Sequence, residues 1–504
     1  MKKLIFIVLL LPVNLVLGQD FLSNALLFSR VKPTVSARVQ GMGGPMSALG
    51  GDYSSALVNP AGLGLYNRNE VTITPALNFI SSSGVYYGVS SPIESRSTFG
   101  VPGFSLVLNT PTNNERGFLG GSFGISYTRT NDLHQDFRYQ GVNDQNSIID
   151  FFIEDAGTID PEELLYIDRP GAYFYSLTAL AYNNYLTEEM YNQNGNVIGY
   201  GTVLDFSRVR QTEISERKGS QAQWNLSYGA NFSDRFFAGI NIGIASLRYK
   251  LSQVFREDQF DYNDGAPEAL SNFNITERYN IRGSGVNLAL GVIARPVDFL
   301  QVGVSYTSPT FYGITDKYHA RIDSRWNNFE YFEDEVLGDV YQEFPEEQVY
   351  EYNITTPMRL NAGLALIQKF GLLTGNIEYV NYGKAKYSSE IAGEFAADND
   401  DIRASYNSVI NWNIGAEFRH EFLRFRAGYG QMAEPVTRSA NREIQTYAAG
   451  IGARLQRFFV DLGVNYSTTN SERVPYFTFV GDADPLATQE FKRTSYLLTF
   501  GFTF

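Results

Sequence analysis

From about residue 70 to the C-terminus, apolar side chains recur at every second position in segments of about ten residues. In one such segment Val286, Leu288, Leu290 and Val292 alternate with Asn287, Ala289 and Gly291. In the last segment Leu498, Phe500, Phe502 and Phe504 alternate with Thr499, Gly501 and Thr503. A period of two indicates β-strands. The second face carries glycine and asparagine rather than the lysine and glutamate of a soluble sheet surface. Because a tilted strand of about ten residues crosses a bilayer, the pattern predicts a transmembrane β-barrel whose last strand ends at Phe504.

The connections between these segments alternate in length. Tight turns are predicted at Ser233–Asp234, Arg295–Phe299, Lys369–Gly371, His420–Glu421 and Gln456–Arg457. Long polar segments occupy 251–279, 309–355, 389–404, 432–443 and 469–491. Short turns on the periplasmic side and long loops outside the cell are typical of bacterial outer-membrane barrels.

The sequence therefore predicts an all-β fold, a fourteen-stranded antiparallel transmembrane β-barrel with large extracellular loops that contain short helices. Strands are expected near 70–91, 99–109, 117–130, 220–232, 235–250, 280–295, 299–308, 356–368, 372–387, 405–419, 422–431, 444–455, 458–468 and 492–504. An even count places both termini in the periplasm.

Strand parity assigns the doubtful region between the third and fourth strands. The third strand runs away from the periplasm and the fourth runs back toward it. A single spanning strand between them, within 131–219, would break this alternation. Residues 131–219 are therefore predicted to form one large extracellular insertion. Within it, Pro161–Ile167 and Tyr173–Glu189 are expected to be short helices.

The chain begins with the features of an exported protein. Lys2 and Lys3 precede an apolar run from Leu4 to Leu17 and the small residue Gly18, so residues 1–18 are predicted to be a signal peptide. An uncleaved anchor is the alternative, but a spanning helix needs about 20 apolar residues. The sequence has no cysteine, which excludes disulfides and thiolate metal sites. Its net charge of −14 argues against a nucleic-acid partner.

Residues 19–68 are not strand-like and are predicted to form a plug inside the barrel, which then comprises 69–504. Glycines are crowded between Gly41 and Gly51, and glycine permits close backbone approach. A fourteen-stranded barrel is too wide for its own side chains to fill. A flexible periplasmic tail is the alternative, but a tail has no need of aliphatic residues such as Leu57.

The stretch from Gly41 to Asp52, followed by Asn59-Pro60-Ala61-Gly62-Leu63, resembles the N-terminal hatch of the FadL/TodX family of outer-membrane transport proteins. The resemblance implies a channel that takes up hydrophobic molecules, such as long-chain fatty acids or aromatic hydrocarbons, without an energy source or a cofactor. In this family an extracellular groove captures the ligand, a pocket beside the hatch binds it, and a kinked third strand opens the wall sideways. The hatch residues would be Gly41, Gly43, Gly44, Asn59, Pro60 and Ala61.

Apolar residues near the N-terminus and in the predicted insertion are candidate ligand contacts. By resemblance, Phe21 is expected to reach the internal pocket. The insertion contributes Phe151, Phe152, Phe174 and Leu177. Apolar residues on an extracellular loop form either a ligand groove or a self-packed cap.

Two further groups of residues have two interpretations each. Arg424 and Arg426, on the lumen face, offer bidentate contacts to a carboxylate, or they pair with Glu378 or Glu417. Gly120, Gly121 and Gly124 lie in the third strand, where glycine often marks a bend. They mark a lateral opening of the wall, or they make room for the hatch.

Catalytic and metal-binding functions have little support in the sequence. The three histidines, His134, His319 and His420, lie in predicted loops or turns, and none is beside a plausible nucleophile. Nine carboxylates between Glu330 and Glu351 could attract calcium, but their spacing does not match an EF-hand loop. A solvated loop is the preferred interpretation, and neither an enzyme nor a metal site is predicted.

The expected partners follow from the barrel. They are a hydrophobic small-molecule or fatty-acid ligand, outer-membrane lipid, and the barrel-assembly machinery, which would engage the C-terminal strand ending in Phe504. The barrel is expected to be a monomer in the outer membrane. A barrel that docks secreted or surface proteins through its loops is the second functional hypothesis, and a soluble secreted β-protein is the third.

Overall fold

The computed structural model describes residues 21–44, 46–165, 176–332, 335–437, 442–478 and 484–504. The predicted signal peptide and Phe174 lie outside these residues. Fourteen strands form one closed antiparallel barrel, which confirms the predicted fold. They are Glu70–Tyr86 (β1), Glu94–Pro111 (β2), Phe118–Asp132 (β3), Phe206–Phe232 (β4), Phe236–Tyr262 (β5), Leu270–Val297 (β6), Leu300–Thr307 (β7), Arg359–Gln368 (β8), Gly371–Asn381 (β9), Ser408–His420 (β10), Leu423–Met432 (β11), Ile444–Arg454 (β12), Phe458–Arg473 (β13) and Ala487–Thr503 (β14). Among the helices of the described residues, none is long and apolar enough to cross a membrane.

β1 closes the barrel by pairing with β14, from Glu70 opposite Thr503 to Tyr86 opposite Ala487. Closure removes the free sheet edges that would otherwise pair with other chains. At one end of the barrel the connections are short, as at Ser233 and Asp234, which both adopt a φ of 55° and reverse the chain between β4 and β5. We call this the turn end, and the opposite end, with the long connections, the loop end.

The outward face of the strands forms an apolar belt. On β5, Ile240, Ile242 and Ile244 are 44%, 50% and 49% exposed, while Asn241 is completely buried on the lumen side. Soluble proteins rarely expose contiguous apolar surface of this extent. Strands with apolar residues outward and polar residues inward are those of a membrane-spanning barrel.

Three neighbouring strands extend far beyond this belt. β4, β5 and β6 contain 27, 27 and 28 residues, so the predicted limits of these strands, and the predicted loop at 251–279, are wrong. Beyond the belt the outward residues change from apolar to charged, as at Lys218, Arg248 and Arg282. The apolar alternation therefore ends while the backbone ladder continues.

The predicted insertion at 131–219 also contains strand structure, which the sequence did not indicate. Gln135–Asn143 pairs with residues 209–217 of β4, although no additional strand crosses the barrel. Three helices follow: Ile148–Ala156 (α4), Pro161–Leu165 (α5) and Leu177–Tyr182 (α6). The last two lie within the two segments predicted to be helical, whereas α4 was not predicted. A small hairpin pairs Glu188–Tyr191 with Val197–Gly201.

The second long connection, 309–355, is likewise not a loop of irregular structure. Phe311–Phe332 continues the sheet beside β6, and Glu335–Glu343 and Gln348–Thr355 pair with it. Side chains from this sheet and from the insertion share an apolar cluster in which Phe152, Leu180 and Ile322 are completely buried. The connections at the loop end therefore form a packed cap. A further helix, Ala396–Ser405 (α7), lies between β9 and β10.

Residues 21–44 and 46–69, which we call the lumen segment, lie inside the barrel. The segment contains Phe21–Ser29 (α1), Ala37–Gln40 (α2), Ser55–Val58 (α3) and the 3-10 helix Pro60–Leu65. A Cβ atom added at any of eleven wall glycines, each on a different strand, would lie within 3.3 Å of a lumen-segment atom. These glycines are Gly103, Gly124, Gly229, Gly239, Gly291, Gly303, Gly363, Gly415, Gly428, Gly450 and Gly463. Glycine at these positions gives the lumen segment the space that side chains would occupy.

The substitution Gly428→Ala tests this contact. The new Cβ would lie 2.1 Å from the carbonyl carbon of Met42, so we expect the lumen segment to shift and the free energy of unfolding to fall by roughly 1–3 kcal/mol. The heat-dependent mobility shift of the barrel on gels measures stability, and protease cleavage before β1 reports the displaced segment. Gly375→Ala is the matched control, since the nearest atom to its Cβ is 3.7 Å away. Equal effects of the two substitutions would contradict the proposed contact.

Candidate functional site

The predicted signature Asn59-Pro60-Ala61 holds the lumen segment against itself and against the wall. Asn59 Oδ1 accepts a hydrogen bond from the amide of Ala61 at 3.1 Å and caps the 3-10 helix. Its Nδ2 donates to the carbonyl of Ser47 at 2.6 Å and to that of Val292, on β6, at 3.1 Å. The side chain is completely buried, so an unsatisfied amide here would be costly. The side-chain amide of asparagine provides both the acceptor and the donors that this position uses.

The predicted hatch glycines lie where the lumen segment meets β11 and β12. Gly43 and Gly44 have φ values of 88° and 115°, which favour glycine. A Cβ on Gly43 would lie 2.9 Å from the amide nitrogen of Tyr429, and one on Gly41 would lie 3.1 Å from the Cα of Gly450. The structure therefore places Gly41 and Gly43 in close contact with the wall, while a Cβ on Gly44 would meet Asn413 of β10 at an ordinary 3.6 Å.

A buried ion network joins the lumen segment to the wall near the turn end. Arg426 donates to Glu417 at 2.8 Å and to Asp461 at 2.7 Å. The side chains of Arg426 and Asp461 are completely buried. Arg38 of α2 brings its Nε to 3.7 Å from Glu417. Because removing one partner of a buried pair leaves an uncompensated charge, this network fixes α2 to β10.

Above the lumen segment, toward the loop end, lies a large cavity. Its volume of about 2130 Å³ exceeds the roughly 300–1,000 Å³ of most small-molecule sites. Its apolar wall includes Phe21, Leu22, Leu26 and Leu27 of α1, Phe151, Phe152 and Leu177 of the insertion, and Tyr249, Leu251 and Phe255 of β5. The structure thus brings four of the predicted ligand contacts, Phe21, Phe151, Phe152 and Leu177, around one cavity.

Helix α1 forms part of the cavity floor and is held by aromatic contacts at both ends. The ring of Phe21 packs edge-on against Tyr352, Tyr387 and Phe395, with centroids 5.5, 5.1 and 5.1 Å away. At the other end Phe28 packs edge-on against a tyrosine of β5, with centroids 5.7 Å apart. Edge-on aromatic pairs stabilise beyond the area they bury. The floor is therefore a fixed surface of apolar side chains.

Lys32 supplies a buried ammonium group to the same cavity. Its Nζ donates to Ser467 Oγ at 2.9 Å, and within the described residues no carboxylate lies within ion-pair distance of it. Burial, followed by the charges of Arg493 and Arg30, lowers the pKa of Lys32 to about 7. Its position is fixed by the backbone, since the Lys32 amide donates to the carbonyl of Thr130 at 2.9 Å. An anion beside this nitrogen would stabilise its charged form.

The two arginines beside Lys32 have partners of their own. Arg493 places a guanidinium nitrogen 3.7 Å from Asp132 and donates to the carbonyl of His134 at 3.0 Å. Arg30 forms an ion pair with Glu434 at 2.8 Å. Lys32 is therefore the cation of this group that is left for a ligand to neutralise.

The two arginines predicted as carboxylate ligands lie elsewhere. Arg426 belongs to the ion network, and its pairing with Glu417 is the second of the two interpretations that the sequence offered. Arg424 donates to the carbonyls of Glu421 at 2.8 Å and Leu423 at 2.7 Å, at the turn end. Neither is among the described residues that line the cavity.

The glycines of the third strand lie in a continuous ladder in this structure. β3 pairs with β2 from Gly120, opposite Pro111, to Thr128, opposite Gly103, and with β4 on its other side. Gly121 is paired on both sides. A Cβ on Gly124 would lie 3.3 Å from a methyl group of Leu63 in the lumen segment.

A break in the wall occurs nearer the loop end. In the described range 94–132, residues 94–100 of β2 pair with β1, but the pairing of β2 with β3 starts only at Gly103. Beyond that point Gln135–Asn143 packs against the inner face of β1, where a Cβ on Gly84 would lie 3.1 Å from the carbonyl of Arg138. Arg96 of β2 spans the break through an ion pair with Asp136 at 2.6 Å. Side chains connect the two sides here without a backbone ladder.

The sequence did not indicate Lys32 or this break. Lys32 lies in Arg30-Val31-Lys32-Pro33, which has no periodicity to assign it a face. The sequence could have indicated Arg493, because this residue has the same inward parity as Leu497 in the last strand. An arginine at an inward position is an unusual feature of a strand. The break lies beside Gln135–Asn143, and the sequence did not indicate this strand. The position of the break could therefore not be predicted.

These features define a class of fold: a closed fourteen-stranded barrel with its N-terminal segment in the lumen and a cavity between that segment and the loops. Among solved structures, a FadL homologue of Pseudomonas aeruginosa matches with a TM-score of 0.54 at 12% identity, over 94% of this chain and 99% of that chain. The Pseudomonas putida toluene transporter TodX matches with a TM-score of 0.50 at 13% identity, over 94% of this chain and 100% of that chain.

At these identities the similarity shows a shared fold. The predicted resemblance to the FadL/TodX family is confirmed at that level. No protein-family model matches the sequence. No curated protein is significantly similar to it.

The substitution Glu417→Gln tests the ion network. It would leave Arg426 with one carboxylate partner and Arg38 with none in the network, so we expect the unfolding free energy to fall by roughly 3–5 kcal/mol. Thermal unfolding in detergent measures this loss. Asp298→Asn is the control, because Asp298 forms an exposed pair with Arg235 at 2.9 Å and exposed pairs contribute about 0–1 kcal/mol. A Glu417→Gln protein as stable as the control would refute the role of the network.

Proposed function

We propose that this protein is an outer-membrane channel for the passive uptake of hydrophobic molecules that carry an acidic group, such as long-chain fatty acids. The observation that carries the proposal is the large apolar cavity with the Lys32 ammonium in its wall. The fold shared with a FadL homologue and with a protein described as a toluene transporter supports it. Short turns of bacterial barrels face the periplasm, so the loop end faces the medium and both termini are periplasmic.

In this proposal the apolar wall drives binding and Lys32 selects the headgroup. Each methylene that leaves water contributes about 0.8 kcal/mol, so ten of them contribute about 8 kcal/mol. A hydrogen bond to a charged group contributes about 1.5–3 kcal/mol. Affinity then follows chain length, while the preference for acids over neutral molecules of the same size depends on the Lys32 ammonium. The Arg217 guanidinium, which also lines the cavity over the ring of Phe137 and has no ion pair within the described residues, adds to this preference.

The lumen segment acts as a hatch that blocks the direct path along the barrel axis, as its contacts with eleven wall glycines support. We propose that ligand leaves through the wall at the break between β2 and β3. Ile80, Gln135 and Phe137 line the cavity and lie beside this break. The ion pairs of Arg96 with Asp136 and with Glu216 of β4 are contacts that the ligand would have to part.

A docking function remains the second candidate, and one observation favours it. The sheet at the loop end exposes Phe332, Val336 and Tyr341, which are 61%, 62% and 62% exposed. Such residues suit protein contact. A docking function gives the interior cavity no role, so uptake experiments separate the two candidates.

The substitution Lys32→Met tests the headgroup site. We expect palmitate to bind to the purified barrel roughly ten- to a hundredfold more weakly, because the charged contact is lost, while hexadecane binding is unchanged.

Because bound carboxylate raises the pKa of Lys32 from about 7, binding takes up a proton. Palmitate affinity should therefore fall as the pH rises above about 7, by up to roughly tenfold per unit. Titration calorimetry at several pH values measures this slope. Lys384→Met, an exposed lysine, is the control. A slope that persists without Lys32 would refute the site.

The double substitution Arg96→Cys/Asp136→Cys tests the lateral exit. The chain has no other cysteine, so a short bifunctional thiol reagent would join the two sides of the break. We expect crosslinking to reduce the uptake of radiolabelled palmitate and toluene to that of cells without the gene, and reductive cleavage of a disulfide-containing linker to restore it. Each single cysteine variant, treated alike, is the control. Uptake that survives complete crosslinking would rule out this exit, and uptake that does not depend on the gene would rule out the channel.

A further inference from the structure

The outward face of β5 and β6 carries a group of basic residues beyond the apolar belt, starting one outward position past Ser246 and Ser284. Arg248 and Lys250 continue the outward row of Ile240, Ile242 and Ile244 on β5. Arg278 and Arg282 continue the outward row of Val286 and Leu288 on β6. All four are exposed. We call Arg248, Lys250, Arg278 and Arg282 the basic patch.

The basic patch contains like charges in direct opposition. Arg248 on β5 is the register partner of Arg282 on β6. Lys250 is the register partner of Lys218 on β4. Like charges at directly opposite positions destabilise a sheet. The fold therefore retains an arrangement that costs free energy unless an anion lies between the strands.

Neighbouring cations have carboxylate partners, but the patch does not. Lys218 pairs with Glu216 at 2.8 Å, and Lys317, on the strand beside β6, pairs with Glu347 at 2.9 Å. Within the described residues no carboxylate forms an ion pair with any of the four patch residues. In a chain with a net charge of −14, acidic side chains are plentiful. Their absence here leaves the patch for an external anion.

The depth of the patch identifies the source of that anion. The last apolar row crosses the sheet through Trp224, Ile244 and Val286, which are in register. Arg248 follows Ile244 by four residues, which is about 13 Å along the strand and about 10 Å along the membrane normal for a tilt of about 40°. By the same measure Lys250 and Arg278 lie about 15 and about 20 Å beyond this row, so the patch begins at the level of the polar headgroups and extends past it, as the headgroup of a large glycolipid would.

The unpaired charge is on one arc of the barrel. At the first outward position beyond the belt the strands are neutral, with Ser246 on β5 and Ser284 on β6 as well as Ser408, Gln431, Gln445, Thr468 and Thr494 on β10 to β14. At the second position, the level of Arg248 and Arg282, β14 carries Lys492, but this cation pairs with Glu490 at 2.7 Å. A general attraction to an anionic surface would not require such confinement. A discrete site for a multiply charged headgroup would.

We propose that the basic patch binds the phosphate groups of a phosphorylated glycolipid of the surrounding outer leaflet. Guanidinium groups on adjacent strands offer bidentate donors to phosphate oxygens, and the apolar residues below them receive the acyl chains. The proposal rests on the orientation in the proposed function, which places the loop end in the outer leaflet. The site is on the outside of the wall and is separate from the internal cavity.

The test uses the full-length barrel in detergent with diphosphorylated lipid A as the probe. Native mass spectrometry or a lipid-induced shift in melting temperature measures binding to the parent and to R248Q/K250Q/R278Q/R282Q. Each basic residue near an anionic surface contributes a factor of about five. Arg248 and Arg282, the two nearest the belt, account for about twenty-fivefold, so we expect the quadruple variant to bind at least about twenty-fivefold more weakly. Removing opposed like charges relieves repulsion, so the variant is expected to fold. R248Q/R282Q is a smaller second variant.

The matched control is R208Q/R325Q/R403Q/K492Q, which removes four exposed cations that have carboxylate partners in the structure. It is expected to bind lipid A as the parent does. Equal losses in both quadruple variants, or unchanged binding by the patch variant, would overturn the proposal. So would equal binding of dephosphorylated lipid A, or complete competition by millimolar inorganic phosphate, which would indicate a free-anion site. Palmitate binding by the patch variant is measured as well. If it is unchanged, failure of the lipid A proposal can be distinguished from failure of the proposed channel function.

Discussion

Main-chain contact between the lumen segment and the barrel wall is the constraint on which the rest of the structure depends. Fourteen strands enclose more space than their own inward side chains can fill. Eleven wall glycines let a folded segment occupy that space, seven of them with its backbone against theirs and four with its side chains. This contact gives the cavity a floor, sets the height of α1, and places Lys32 beside the end of β3. The shape of the binding site is therefore a consequence of side chains that are missing from the wall.

The cations of the interior differ in whether they have a carboxylate partner. Near the turn end, Arg38 and Arg426 are neutralised by Glu417 and Asp461, and the resulting network holds the segment to the wall. At the cavity, Lys32 has a hydroxyl for a partner instead of a carboxylate. A paired charge provides stability, whereas an unpaired one provides a place for a ligand. The charges that fix the lumen segment to the wall are therefore different from the charge that is available to a ligand.

The architecture could be predicted from the sequence, and the limits of that prediction have physical causes. Alternation marks a strand only where its outward residues meet hydrocarbon, so the belt portions of β5 and β6 were found but their extensions past Arg248 and Arg282 were not. Parity correctly excluded an additional spanning strand from 131–219, yet it could not detect Gln135–Asn143, which pairs without crossing the membrane.

The site was predictable in part, for similar reasons. Phe21, Phe151, Phe152 and Leu177 were identified as apolar residues in segments that have no need of them, and they do line the cavity. Arg426 was identified by its inward position, but parity does not reveal which neighbour neutralises it. Lys32 was missed because its setting arises from contacts with residues about 100 and about 435 positions away, which no local pattern records.

The unequal strand lengths give the barrel a tall side and a low side. β6, with 28 residues, rises about 70 Å at a tilt of about 40°, of which an apolar belt accounts for about 25 Å. β8 to β12 contain only 10 to 13 residues. A rigid screen therefore stands along one arc of the rim and leaves the opposite arc low. On the opposite arc the connection that carries α7 packs against α1, so the two sides of the rim present different surfaces to molecules that arrive from the surroundings.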